Sequence, residues 1–136
     1  MLVKRILFAV DAFDECRKGI PLVTELGKSF EAEIVVFHVR ERLRNRAGAY
    51  EIDEPEQIHV ADEIAGTLKE SGLNARSETV TATGHVAEHI IDYAESVDAD
   101  LIAMGTRGLA DFAGFLMGSV AHKVLHVSKK PVLIVK

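Results

Sequence analysis

The most telling part of the chain is the run Leu101-Ile102-Ala103-Met104-Gly105-Thr106-Arg107-Gly108, a nine-residue insert from Leu109 to Met117, and then Gly118-Ser119-Val120. Its first four residues are apolar and closed by glycine, which predicts a buried strand. Two glycine turns follow that strand end. Glycine lets backbone N–H groups turn toward a ligand with no Cβ in the way, and a pair of such turns can form a nest for an anion. Beyond the second turn, Val120, Val124 and Val127 recur at the spacing of one helix face, so Ser119 is expected as the N-cap of a helix reaching about Val127. A helix start presents unpaired N–H donors and roughly half a positive charge. The two turns together predict a site that holds one polyphosphate.

Working outward, the chain alternates strand and helix patterns. Ile6 to Val10 is a continuous apolar run ending at Asp11, as expected of a central parallel strand covered on both faces. Ile20, Val23, Leu26 and Phe30 then have helical spacing, although Gly19 and Pro21 fit poorly in a helix interior. Either the helix starts near Gly19 or Pro21 kinks it. Glu33 to Val39 is the second strand, rich in β-branched residues. Arg40 to Asp53 opens basic and closes acidic without a period, which predicts an exposed loop with Pro55 near the next helix start. That helix carries Ile58, Ala61, Ile64, Ala65 and Leu68 on one face and stops at Ser71-Gly72. A weaker third strand, Glu78 to Thr81, leads through Gly84 to a helix with Val86, Ile90, Ile91, Ala94 and Val97 inward, and Pro131 to Val135 is the last strand.

This alternation predicts one doubly wound α/β domain over residues 1–136, with a parallel sheet and helices on both faces. In such sheets ligands bind at the carboxyl ends of strands where the strand order reverses. If the first and fourth strands flank that reversal, Asp11 and the Gly105 turn share one crevice.

Composition narrows the functions. Lys plus Arg number 16 against 21 for Asp plus Glu, a net charge of -5 with no long basic run, which argues against nucleic acid as a partner. Cys16 is the single cysteine, so no internal disulfide forms. The start MLVKRILFAVD lacks a signal-peptide pattern and the apolar runs are too short to span a membrane, so the expected location is the cytoplasm.

The pattern GxxG, nine residues, then Gly-Ser, between a DLIAMG strand and a KKPVLIVK terminus, resembles the universal stress protein family, and the similarity runs from KRILFAVD through EIVVFHV and TGHVAEHIIDYAE. The resemblance implies a five-stranded parallel sheet in the order 3-2-1-4-5 and, because the glycine pattern is kept, membership of the ATP-binding branch. Carried over by position, Asp11 would meet the adenosine with Ala9 and Val10 beside it, and Val39 would pack on adenine. Met104 and Gly105 would lie under base and sugar. Thr106, Arg107, Gly108, Gly118, Ser119 and Val120 would border the phosphates. ATP, or alternatively ADP or AMP, with Mg²⁺ accompanying it, is the implied ligand. The implied assembly is a homodimer through the edge strand Val132 to Val135. Ala12-Phe13-Asp14-Glu15 departs from the Gly-Ser or Phe-Ser common after the first-strand Asp, adding two carboxylates near the pocket.

The implied role is a nucleotide-dependent regulatory module. No GxxxxGK[ST] loop occurs, so at most slow hydrolysis or autophosphorylation is expected and no catalytic residue is assigned. Other readings are a nucleotide-free interaction protein on the same fold and a receiver-like enzyme with an acidic Mg²⁺ pocket. The latter needs an aspartate after the third strand, and Thr79-Val80-Thr81 offers none. His85-Val86-Ala87-Glu88-His89 matches the inverted zinc-protease motif HxxEH, but no third-ligand helix is evident, so we assign no metal there. His122 and His126 repeat the i, i+4 spacing and are read as a solvated face.

Overall fold

The apolar run after Lys4 forms the middle of the sheet. In the computed structural model, which describes residues 2–12, 14–44, 46–47, 50–52, 59–82, 84–106 and 118–136, β1 (Arg5–Val10) lies between β2 (Glu33–Arg44) and β5 (Leu101–Gly105). Both pairings are parallel, in the registers Ile6↔Ile34 and Ile6↔Leu101. β4 (Ala75–Ala82) extends the sheet beyond β2 and β6 (Val132–Val135) extends it beyond β5, both parallel. The five parallel strands therefore stand in the expected order, third-second-first-fourth-fifth. Asp100 ties the amino ends together: its Oδ2 accepts from the N–H groups of Lys4 and Arg5 at 2.8 and 3.0 Å.

Side-chain alternation along each strand divides the core into two layers. Ile6, Phe8, Ile34 and Val36 pack with α1 (Ile20–Phe30) and α2 (Val60–Glu70), through Val23, Ile64 and Leu68. Leu7, Val35, Phe37, Val39 and Met104 face α3 (Val86–Ser96) and α4 (Ser119–Val127), through Ile90, Ala94 and Val124. Phe37 stacks on Tyr93 with ring centroids 4.1 Å apart and planes 7° from parallel. Gly27 allows the close approach of α1 to the sheet, since a Cβ there would stand 2.8 Å from Leu73 Cδ2. Gly72, at φ +90, ends the α2 segment as expected of a glycine past a helix terminus.

Several expectations need correction. Arg40 to Asp53 is not simply an exposed loop: β2 continues to Arg44 and pairs antiparallel with β3 (Tyr50–Ile52) in the register Arg42↔Ile52. A two-stranded ribbon leaving the core satisfies its backbone by pairing and needs no apolar face, so hydrophobic periodicity does not reveal it. Arg40 is itself 8% exposed, and its Nε has no hydrogen-bond partner among the described residues. Asp53, Pro55 and Ile58 lie outside the described residues, and α2 is described from Val60. A short 3-10 helix, Asp14–Gly19, precedes α1, and Pro21 stands in α1's first turn, where its missing N–H costs no hydrogen bond. Phe30 and Val127 follow their helices' spacing but are 48% and 56% exposed, because each ends its helix beyond the sheet it covers.

Candidate functional site

Strand order reverses between β1 and β5, and the carboxyl ends of those strands open a cleft roofed by the starts of α3 and α4. Of the residues singled out from the sequence, Ala9, Val10, Asp11, Val39, Met104, Gly105, Gly118 and Val120 line it. Thr106 and Ser119 stand beside the cleft but do not line it. Arg107 and Gly108 fall outside the described residues. Cys16, Glu41, Val86, Ile90 and Ala121 also line the cleft, though the sequence reading did not place them there. Val86 and Ile90 were legible as the inward face of their helix. Glu41 was detectable only as the residue two beyond Val39, on the same face of a strand that had to be known to continue.

The enclosed part of the cleft is small, about 60 Å³, and opens outward as a groove. The inner wall is apolar, built from Ala9, Val39, Met104, Val86 and Ile90, and Asp11 and Glu41 are the acidic residues that line it. Cys16 is buried and its Sγ lies 3.5 Å from the Asp11 carbonyl oxygen. β1 pairs with β2 only as far as Val10↔His38, whereas β4 follows β2 to Glu41↔Ala82. Between residues 39 and 41 the β1-side edge of β2 therefore has no strand partner among the described residues, and it faces the cleft.

The α4 end of the cleft differs from the expectation in two details. Ser119 is not the N-cap: Gly118 is, with φ -58 and ψ 150, and no side chain caps the helix. The Gly118 carbonyl accepts the first intrahelical bond, from His122 N at 2.9 Å, which makes Ser119 the first helical residue. Nor is the Gly118 N–H available to a ligand, because it donates to the Thr106 carbonyl at 2.9 Å. That bond joins the two ends of the segment 107–117 directly beneath the α4 start. Among the described residues, the N–H groups of Ser119, Val120 and Ala121, which precede the first intrahelical bond, have no backbone partner. They carry the positive end of the α4 dipole.

The histidine motifs sit outside this cleft. Glu88 accepts a hydrogen bond from Lys123 Nζ at 2.7 Å and lies 3.2 Å from His85 Nδ1, and the Lys123 bond holds its carboxyl below the ordinary carboxylate range. His122 and His126 meet edge to face with ring centroids 4.5 Å apart. Among the described residues, no three histidine, cysteine or acidic side chains are placed to hold a metal ion.

Fold and cleft define the class: a doubly wound α/β protein with an apolar slot that ends on the start of a helix at the switch point. A family model for the universal stress protein family matches residues 2–136, and the chain belongs to that family. It is 32% identical to universal stress protein YxiE of Bacillus subtilis, with 99% of this chain and 100% of that protein covered. It is 31% identical to universal stress protein Sll1654 of Synechocystis, covering 99% and 87%. Among solved structures, protein MJ0577 superposes with a TM-score of 0.81 at 24% identity over 100% of this chain and 97% of its own. A universal stress protein in complex with cAMP superposes at 0.74 with 22% identity, covering 100% and 98%. The Archaeoglobus fulgidus universal stress protein in complex with dAMP superposes at 0.70 with 23% identity, covering 100% of both chains. Among the described residues, no helix is long and apolar enough to cross a membrane.

Proposed function

We propose that the chain is an ATP-binding universal stress protein, a cytoplasmic regulatory module whose conformation or partner choice follows nucleotide occupancy. The observation that carries this reading is the position of the N–H groups of Ser119, Val120 and Ala121, unpaired among the described residues, at one end of an apolar slot floored by Ala9, Val39 and Met104. An anion at a helix start is stabilised by donors and dipole together, and a flat aromatic base is stabilised by the slot. The complexes of family members with cAMP and with dAMP support an adenosine ligand. In this reading Asp11 meets the adenosine, Gly105 and Thr106 border the sugar and phosphates, and Arg107 and Gly108 complete the phosphate end. Mg²⁺ enters with the phosphates of the nucleotide. ADP and AMP are competing occupants of the same slot. Chemistry is at most slow hydrolysis or self-phosphorylation.

We further propose a homodimer paired through β6. Its residues are all half-buried, and among the described residues only β5 pairs with it. An unpaired edge of this kind invites a second copy.

Arg107→Ala tests the phosphate end. A charge-assisted contact to phosphate contributes about 1.5 to 3 kcal/mol, so the variant is expected to weaken ATP roughly tenfold or more while leaving adenosine unchanged. Equal losses for both ligands would contradict the assignment. A protein that binds no adenine nucleotide would instead be an interaction protein on the same fold.

A further inference from the structure

The cleft has a direction that the sheet itself fixes. Its anion end stands over β5 and the start of α4, and the neighbouring strands follow in the order β5, β1, β2. A nucleotide whose phosphates meet Ser119, Val120 and Ala121 therefore crosses β1 and places its base over the end of β2. Two residues of β2 line that end, Val39 and Glu41, which alternation puts on one face of the strand. The Val39 side chain offers an apolar surface and no hydrogen-bonding group. Glu41 is half-buried beside Val86 and Ile90, and its carboxylate makes no hydrogen bond or ion pair with any described residue.

We propose that Glu41 is the specificity-determining residue of the cleft, accepting a hydrogen bond from the exocyclic amine of an adenine base and so rejecting 6-oxo purines. The inference rests on the nucleotide reading of the same site. An ionised carboxylate only accepts hydrogen bonds, and leaving it unsatisfied in a partly dry cleft is costly. The 6-amino group of adenine supplies the missing donor. A 6-oxo group brings a second acceptor against the first, and sites built to hydrogen-bond a ligand group discriminate strongly against analogues lacking it. The location matters as well: at the base end the carboxylate stands away from the phosphates, where its negative charge would otherwise oppose binding.

The test is isothermal titration of the full chain, stripped of nucleotide, with ATP and with ITP, for wild type, Glu41→Ala and Glu41→Gln. Wild type is expected to prefer ATP by about tenfold or more, the worth of one charge-assisted hydrogen bond. Glu41→Ala should lose that preference, weakening ATP by the lost hydrogen bond and relieving ITP of the facing acceptor. Glu41→Gln is nearly isosteric and keeps the strand, and its amide turns to accept from an amine or donate to an oxo group, so it should raise ITP affinity until the two ligands bind alike. A merely structural role would not produce that gain for ITP. An ATP-to-ITP ratio unchanged in both variants, or no preference in wild type, overturns the role of Glu41 and leaves the nucleotide site standing. Wild type that binds neither ligand overturns the nucleotide reading, and the specificity role falls with it.

Discussion

Glu88 shows how little a visible motif decides when its side chains point elsewhere. It belongs to the HxxEH sequence, yet it bonds to Lys123 across the α3–α4 contact and pairs with His85 on the surface. Its carboxyl titrates below the ordinary range, first because of the Lys123 hydrogen bond and then because of that residue's charge. A group with a lowered folded pKa stabilises the fold above its unfolded pKa and loses that contribution as pH falls through the folded value. The stability difference between wild type and Lys123→Met, followed by denaturant unfolding, should therefore be small at neutral pH, shrink with added salt and vanish in acid. A difference that persists in acid would show that Lys123 acts through packing. At this scale the sequence revealed residues inside strong apolar runs, such as Ala9, Val39 and Met104. It did not reveal Cys16 or Glu41 as cleft residues, because their places depend on where a 3-10 turn and a strand extension end.

At the scale of elements, the start of α4 carries the phosphate argument. The sequence predicted the helix from its valines but gave the wrong residue as cap, since Ser and Gly are both acceptable there and only the Gly118 carbonyl bond to His122 decides. The observed geometry makes a sharp variant available. Gly118, at ψ 150, has the extended backbone that a following proline requires, and the first helical position tolerates proline well. Ser119→Pro should keep the helix and the melting temperature while removing one of the open N–H donors. ATP affinity is then expected to fall about threefold to tenfold, the worth of one hydrogen bond, as measured by calorimetry. Unchanged affinity in a folded variant would show that this N–H does not meet the ligand. The β2–β3 ribbon was illegible for a different reason. Its apolar residues, Leu43, Tyr50 and Ile52, alternate with Arg42, Arg44 and Glu51 over only three residues a side, too short a run to read as a strand, and the pairing is visible only in the registers.

For the whole molecule, the parallel sheet was legible because strand and helix patterns alternate along the chain, whereas the order of its strands followed from the family resemblance and not from the patterns. The proposed homodimer uses one edge of that sheet. Sedimentation equilibrium at micromolar concentration should give a dimer, and a monomer there would contradict pairing through β6. The nucleotide site remains the central claim, and thermal unfolding of nucleotide-stripped protein with and without Mg²⁺-ATP tests it most directly, with Gly118 replaced by a bulky residue as the control. A ligand at about 100 times its Kd adds roughly 2.7 kcal/mol, which moves the midpoint of a domain this size by several degrees. Wild type is expected to show that shift and the Gly118 variant to lose it. No shift in wild type, with calorimetry showing no heat of binding, would contradict it.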